Sequence, residues 1–172
     1  AGIEQTPENG FGATPLTKYR RHVLMLHPHT VIVYDELEAS EAVRWEWLLH
    51  SPTEFKMDVT KKTLSTNNKT QGWVAVTQLF GGHVFTLSQT DRFVVPPAIT
   101  GAEYPNQWHL TARVDGCSAT RFLAIIQVGD EAVPIINRDG DTFNVGDWTI
   151  KAVLDASKAP ELTAVSYTHL RA

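Results

Sequence analysis

Asn106, Gln107, Trp108 and His109 stand in a row after Pro105, at the start of a strand-like run, and bring together two amides, an indole and an imidazole. A polar and aromatic cluster at a strand entrance can reach the rim of a cleft and there bind a substrate or meet another domain. The competing reading is a capped strand that buries Trp108. His27 and His29 have the one-apart spacing of two metal ligands on one strand face. Pro28 lies between them in a turn context, and spacing places no third ligand, so solvated loop histidines are expected. Asp35 and Glu36, with Glu38, could form an acid and base set; they close a strand-like run before a turn around Ser40, which predicts solvated carboxylates. Trp45 and Trp47 could stack on pyranose rings, but Val43 and Leu49 share their side of the alternation, which points to core packing. Asn68-Lys69-Thr70 fits the N-glycosylation pattern and reads as a polar turn that matches by chance.

Other chemistries lack their residues. Cys117 is the only cysteine, which excludes an internal disulfide and a multi-cysteine zinc or iron–sulfur site. No glycine-rich phosphate loop, Gly-x-Ser-x-Gly elbow or His-Glu-x-x-His pattern occurs, so nucleotide binding, serine hydrolysis and zincin chemistry have no support. No metal or other cofactor is expected. The net charge is −4 with both signs scattered, so no basic face for nucleic acid or anionic lipid is expected. Apolar stretches such as 122–126 fall far short of the roughly 18 to 20 residues of a spanning helix, so no membrane partner is expected either.

The elements that must position these residues are strands. Residues 1–17 read as an entry loop, rich in Gly, Pro, Thr and Asn. From Lys18 the period becomes two: 19–26 and 30–37 form a predicted antiparallel hairpin about His27-Pro28-His29, and 43–49 form a half-buried strand. Further strand-like runs cover 55–59, 63–65, 73–80, 83–87, 107–114 and 120–128, separated by turn chemistry at Asn67-Asn68, Gly81-Gly82, Pro96-Pro97 and Asp115-Gly116. Short strands spaced by about ten residues predict an all-β chain, an antiparallel β-sandwich of supersandwich type over 18–128. Runs at 133–136, 142–145 and 148–154, around Asn137-Arg138-Asp139-Gly140, predict small terminal β hairpins over 129–164. With 172 residues and 42% hydrophobic content, one main domain is the default. The chain starts at Ala1 without a leader pattern and is expected to be a piece of a longer protein. Residues 165–172 resemble a peptide read from sequencing-adapter DNA and are expected to be a non-native tail outside the packed core.

The run from Tyr19 through His27-Pro28-His29 to Leu37, with Trp45-Glu46-Trp47-Leu48-Leu49-His50-Ser51 after it, resembles strands in the β-sandwich of heparinase II/III-like polysaccharide lyases. Tyr104-Pro105-Asn106-Gln107-Trp108-His109-Leu110 and Arg121-Phe122-Leu123-Ala124-Ile125-Ile126-Gln127 are similar to later strands of the same module. The resemblance covers about residues 18–128 and is to the C-terminal β-sandwich region of such enzymes. It implies β-elimination on uronic-acid-containing polysaccharides, in which a base takes the C5 proton and an acid protonates the leaving oxygen. In that family the Asn or His that neutralises the uronate and the Tyr or His pair for proton transfer lie in an N-terminal α/α toroid, and a His-x-His and Asp metal site lies in earlier strands. None of these has a counterpart here. The resemblance therefore implies a fragment that supports the cleft without catalysing alone, partnered by the missing toroid and the polysaccharide, in a periplasmic or secreted bacterial setting. The alternative is an independent carbohydrate-binding or structural sandwich. The two differ in surface: a lyase fragment exposes a large apolar patch, and a free module a polar one.

Overall fold

The computed structural model describes residues 14–58, 60, 63–68, 73–92, 107–129 and 136–166. Among the described residues every regular element is a strand: β1 (Leu16–Leu26), β2 (Thr30–Ser51), β3 (Lys56–Asp58), β4 (Thr63–Asn68), β5 (Trp73–Gly81), β6 (Thr86–Thr90), β7 (Trp108–Gly129), β8 (Ile136–Asp139), β9 (Thr142–Val145), β10 (Trp148–Ala152) and β11 (Leu162–Ser166). They form an all-β sandwich. One sheet runs β1-β2-β7-β5-β4-β3 with β6 also on β7, and the other runs β11-β10-β9-β8. Every pairing is antiparallel.

The β1–β2 hairpin closes as expected at His27-Pro28-His29, where Leu26 faces Thr30. Proline cannot donate to a ladder, so a strand ends naturally there.

Two expected turns are not turns. β2 and β7 are each 22 residues long and pair from Thr30↔Gln127 to Ser51↔Trp108, the strands continuing through Ser40 and Asp115-Gly116 where the pairing is interrupted. The register slips between Glu38 and Val43 and again between Val43 and Trp45. Gly116 sits at φ 72, a backbone setting that costs glycine little and side-chain-bearing residues more. Turn-forming residues inside a paired strand make a bulge, which bends it and sharpens its twist.

The bends divide the long ladder into an inner half, residues 30–38 with 119–129, and an outer half, residues 43–51 with 108–117. Both halves feed one core cluster: Trp45, Trp47, Leu110, Ala112 and Val114 of the outer half pack with Leu37, Phe122 and Ala124 of the inner half and with Leu64 and Leu79. The opposite face of the inner half, with Ile32, Tyr34, Leu123 and Ile125, packs on Phe143, Val145, Ile150 and Ala152 of the second sheet. The inner half of β7 is thus buried on both faces.

The small terminal β hairpins expected over 129–164 are β8 to β11, a four-stranded sheet that packs on the inner half of the first as the sandwich's second layer. Its hairpins turn at Gly140-Asp141 and Gly146-Asp147, with both glycines at positive φ as two-residue loops require. Asn137 and Asp139 belong to a strand, and residues 133–135 lie outside the described residues. Val165 and Ser166, the first residues of the expected tail, pair with Thr149 and Trp148, and Val165 is half exposed. Residues 167–172 lie outside the described residues.

Candidate functional site

Of the row singled out at the entrance to β7, Asn106 lies outside the described residues and Gln107 is exposed. Trp108 turns inward, half-buried, and packs against the core that holds Trp45 and Trp47. His109 faces the other way. Alternation parts neighbours in a strand, so Trp108 and His109 point to opposite faces of β7.

What His109 meets was hidden from the sequence. His50 of β2 is its cross-strand partner, the two rings lie edge to face at 4.5 Å between centroids, and Thr90 of β6 pairs with it from the other side. The only signal was that His50 shares the outward side of its strand with Glu46 and Leu48. The same registers align Leu48, Thr111 and Ser88, then Glu46, Arg113 and Thr86, into a largely polar face on the outer half that also carries the exposed Leu48. Arg113 and Arg44 both bind Asp115, at 2.8 and 3.0 Å, and hydrogen bonds from Arg113 first, then Arg44, hold its carboxyl below the ordinary range.

Of the three carboxylates expected to be solvated Glu38 is exposed, but Asp35 and Glu36 are buried, at 1% and 2% exposed. Their partners come from β1, about fifteen residues earlier, which no local pattern could place. Arg21 forks onto Asp35, with Nε donating to Oδ1 at 2.6 Å and Nη2 to Oδ2 at 2.8 Å. That bond is the main reason the Arg21 pKa rises. Glu36 receives Lys18 Nζ at 2.7 Å and lies 2.9 Å from His22 Nε2. Burial alone would push the Glu36 carboxyl up, but hydrogen bonds from Lys18 and His22 outweigh it and the net shift is down. A carboxylate held this way stays ionised and is a poor proton donor. The role is structural, because a buried charge must be paired.

Beside these carboxylates, Arg121 is 4% exposed and ties down the segment after β10, donating to the carbonyls of Val153, Asp155 and Lys158 at 3.1, 2.8 and 2.6 Å. Tyr34 Oη donates to the Val153 carbonyl as well, at 2.7 Å. Gly82 completes the fit: a Cβ there would sit 2.2 Å from the Leu154 carbonyl oxygen. This segment walls an open cleft of about 680 Å³ at the strand bends, shared with Glu41, His83, Cys117 and Ser118. His83 Nδ1 lies 3.2 Å from Thr120 Oγ1, and burial first of all raises the Cys117 thiol, so it is not an activated nucleophile. His27 and His29 are exposed on their turn, and no cluster of three metal-ligating side chains occurs among the described residues.

No protein-family model and no curated protein matches this sequence. Solved structures do match. Heparinase III in lysine-methylated form aligns over 90% of this chain at TM-score 0.60 and 13% identity, and its unmodified form over 87% at 0.59 and 12%. Heparan sulfate lyase HepC from Pedobacter heparinus aligns over 88% at 0.54 and 16% identity. The fold is heparinase-like. In each case the alignment covers 24% of the other chain, so this chain spans about a quarter of the length of these enzymes.

Proposed function

We propose that this chain is the β-sandwich portion of a polysaccharide lyase that acts by β-elimination on a uronic-acid-containing polysaccharide, shaping the cleft without catalysing alone. The observation that supports this most is the alignment of nearly the whole chain with about a quarter of each of two lyases. In β-elimination a base removes the C5 proton, the bond from C4 to the glycosidic oxygen breaks, and an acid protonates that oxygen. Among the described residues, the carboxylates of Asp35 and Glu36 are committed to cations. The acid and base are assigned to an α/α toroid domain, and Gln107 and His109 to the rim beside it. A periplasmic or secreted bacterial setting goes with this reading.

The polar outer face around His50, His109 and Thr90 favours a second reading, a free glycan-binding module. Incubation with heparan sulfate, chondroitin sulfate and alginate, followed by ultraviolet absorbance of the unsaturated uronate, tests the first reading. No turnover is expected from the 172-residue chain, and turnover of one of the three from the full product of its gene. Turnover by the 172-residue chain alone, or none by the full product, would overturn it.

A further inference from the structure

Val23-Leu24-Met25-Leu26 is a continuous apolar run at the end of β1. In a sheet wetted on one face, apolar and polar residues alternate; a continuous run belongs to a strand covered on both faces. The run Phe122-Leu123-Ala124-Ile125-Ile126 in β7 obeys that rule, with one core above it and one below.

Among the described residues β1 has only one cover. Leu24 and Leu26 turn toward the second sheet and join its core. On the other face Tyr19 is 56%, Val23 60% and Met25 74% exposed. Their cross-strand neighbours Val33 and Val31 are apolar and half-buried, which widens the row, while Leu37 opposite Tyr19 is buried in the core. β1 is also the terminal strand of its sheet, so its outer backbone edge has no strand beside it among the described residues. Arg21 stands inside this row, already holding Asp35 with two hydrogen bonds, so a neighbour could cover it without leaving its charge unpaired.

We infer that the outward face of β1, centred on Tyr19, Val23 and Met25, is an interdomain surface, and that its occupant is further polypeptide of the same lyase chain. This rests on the proposed function. The choice of occupant follows from length: the two aligned lyases are about four times longer than the part aligned, and an apolar row on an edge strand is a liability unless it is covered.

Thiol labelling tests it. Cys117 is replaced by Ser in the full product of the gene, and Val23→Cys is compared with Val84→Cys, a control at a loop position 87% exposed. Val23→Cys is expected to react with a maleimide at least about 100-fold more slowly than the control, because a docked face opens only rarely. Comparable rates at the two positions, or a gene product no longer than this chain, would overturn the inference. Slow labelling of Val23→Cys in the 172-residue chain that reverses on dilution would also overturn it, in favour of a second copy as occupant. Lyase activity of the unmodified full product is scored separately: activity with equal labelling rejects the docking face and keeps the function, and protection without activity does the reverse.

Discussion

Two apolar runs, Phe122-Leu123-Ala124-Ile125-Ile126 in β7 and Val23-Leu24-Met25-Leu26 in β1, look alike in sequence and sit differently in the molecule. The first lies where the bent β2–β7 ladder covers one face and the second sheet the other. Among the described residues the second is covered on its inner face only. An unbroken apolar run therefore reports how many faces a strand was built to bury, and where the count falls short it marks a surface awaiting a partner. The comparison makes a sharp demand on energetics, since equal chemistry in the two runs should have very unequal cost.

The largest effect is expected inside the first run. Leu123 is fully buried, so Leu123→Ala leaves a cavity and is expected to cost about 3 kcal/mol. Met25→Ala at the exposed end of the second run should stay within about 0.5 kcal/mol. For a chain of this size the difference is roughly 10 °C in thermal midpoint, read by circular dichroism. Equal losses would mean that the outward face of β1 is already covered within this chain.

Next comes the clamp that fastens the second cover of the first run. Arg121→Met keeps the bulk but removes the donor to the Lys158 carbonyl and leaves the Val153 carbonyl to Tyr34 and the Asp155 carbonyl to the Lys158 amide, and is expected to cost about 2 kcal/mol. Hydrogen exchange at the amides of residues 153–158 should rise ahead of global unfolding. Unchanged exchange there would show that Tyr34 holds the segment without help.

A smaller, pH-dependent effect is expected where β1 meets β2. The folded pKa of Glu36 lies below the ordinary value of 4.5, so its contribution is complete above that value and disappears as pH falls through the lowered one. Lys18 has the opposite sign: its pKa is raised from 10.5, chiefly by its bond to Glu36, so its contribution is lost as pH rises through the raised value. Glu36→Gln should lower the midpoint by a few degrees near neutral pH and flatten the acid side of the stability profile. A profile that stays parallel to that of the unmodified chain would remove Glu36 as its cause.

How far these features were legible in the sequence depends on the distance over which each is decided. Trp45 and Trp47 were legible because alternation is local, and they are 8% and 4% exposed. The hairpin at His27-Pro28-His29 was legible for the same reason. The continuity of β2 through Ser40 was not, since a bulge and a turn use the same residues and differ only in whether a partner strand runs alongside. Asp35 and Glu36 were misjudged because β1 supplies the cations that allow burial. The pairing of His50 with His109 depends on a register between strands almost sixty positions apart, and no spacing within either strand encodes it.

The smallest expected effect separates the two tryptophans that the sequence treats as equivalent. Both are buried on the same side of the outer half of β2, yet only Trp45 finds a partner for its indole: Nε1 donates to the Cys117 carbonyl at 3.0 Å, across the bend. Trp47 Nε1 is buried without a hydrogen-bond partner among the described residues. Replacing either ring by phenylalanine removes similar apolar area, so the packing losses should nearly cancel when the two variants are compared. What remains is the hydrogen bond. Trp45→Phe removes the hydrogen bond to the Cys117 carbonyl beside Gly116, whereas Trp47→Phe removes a group that was already costly to bury. Trp45→Phe should therefore be the more destabilising by about 1 kcal/mol in urea unfolding, with no change in the slope against denaturant. If Trp47→Phe is the worse of the two, its indole has a partner in the intact protein, and the outer half of the ladder is covered more completely than its single apolar face implies.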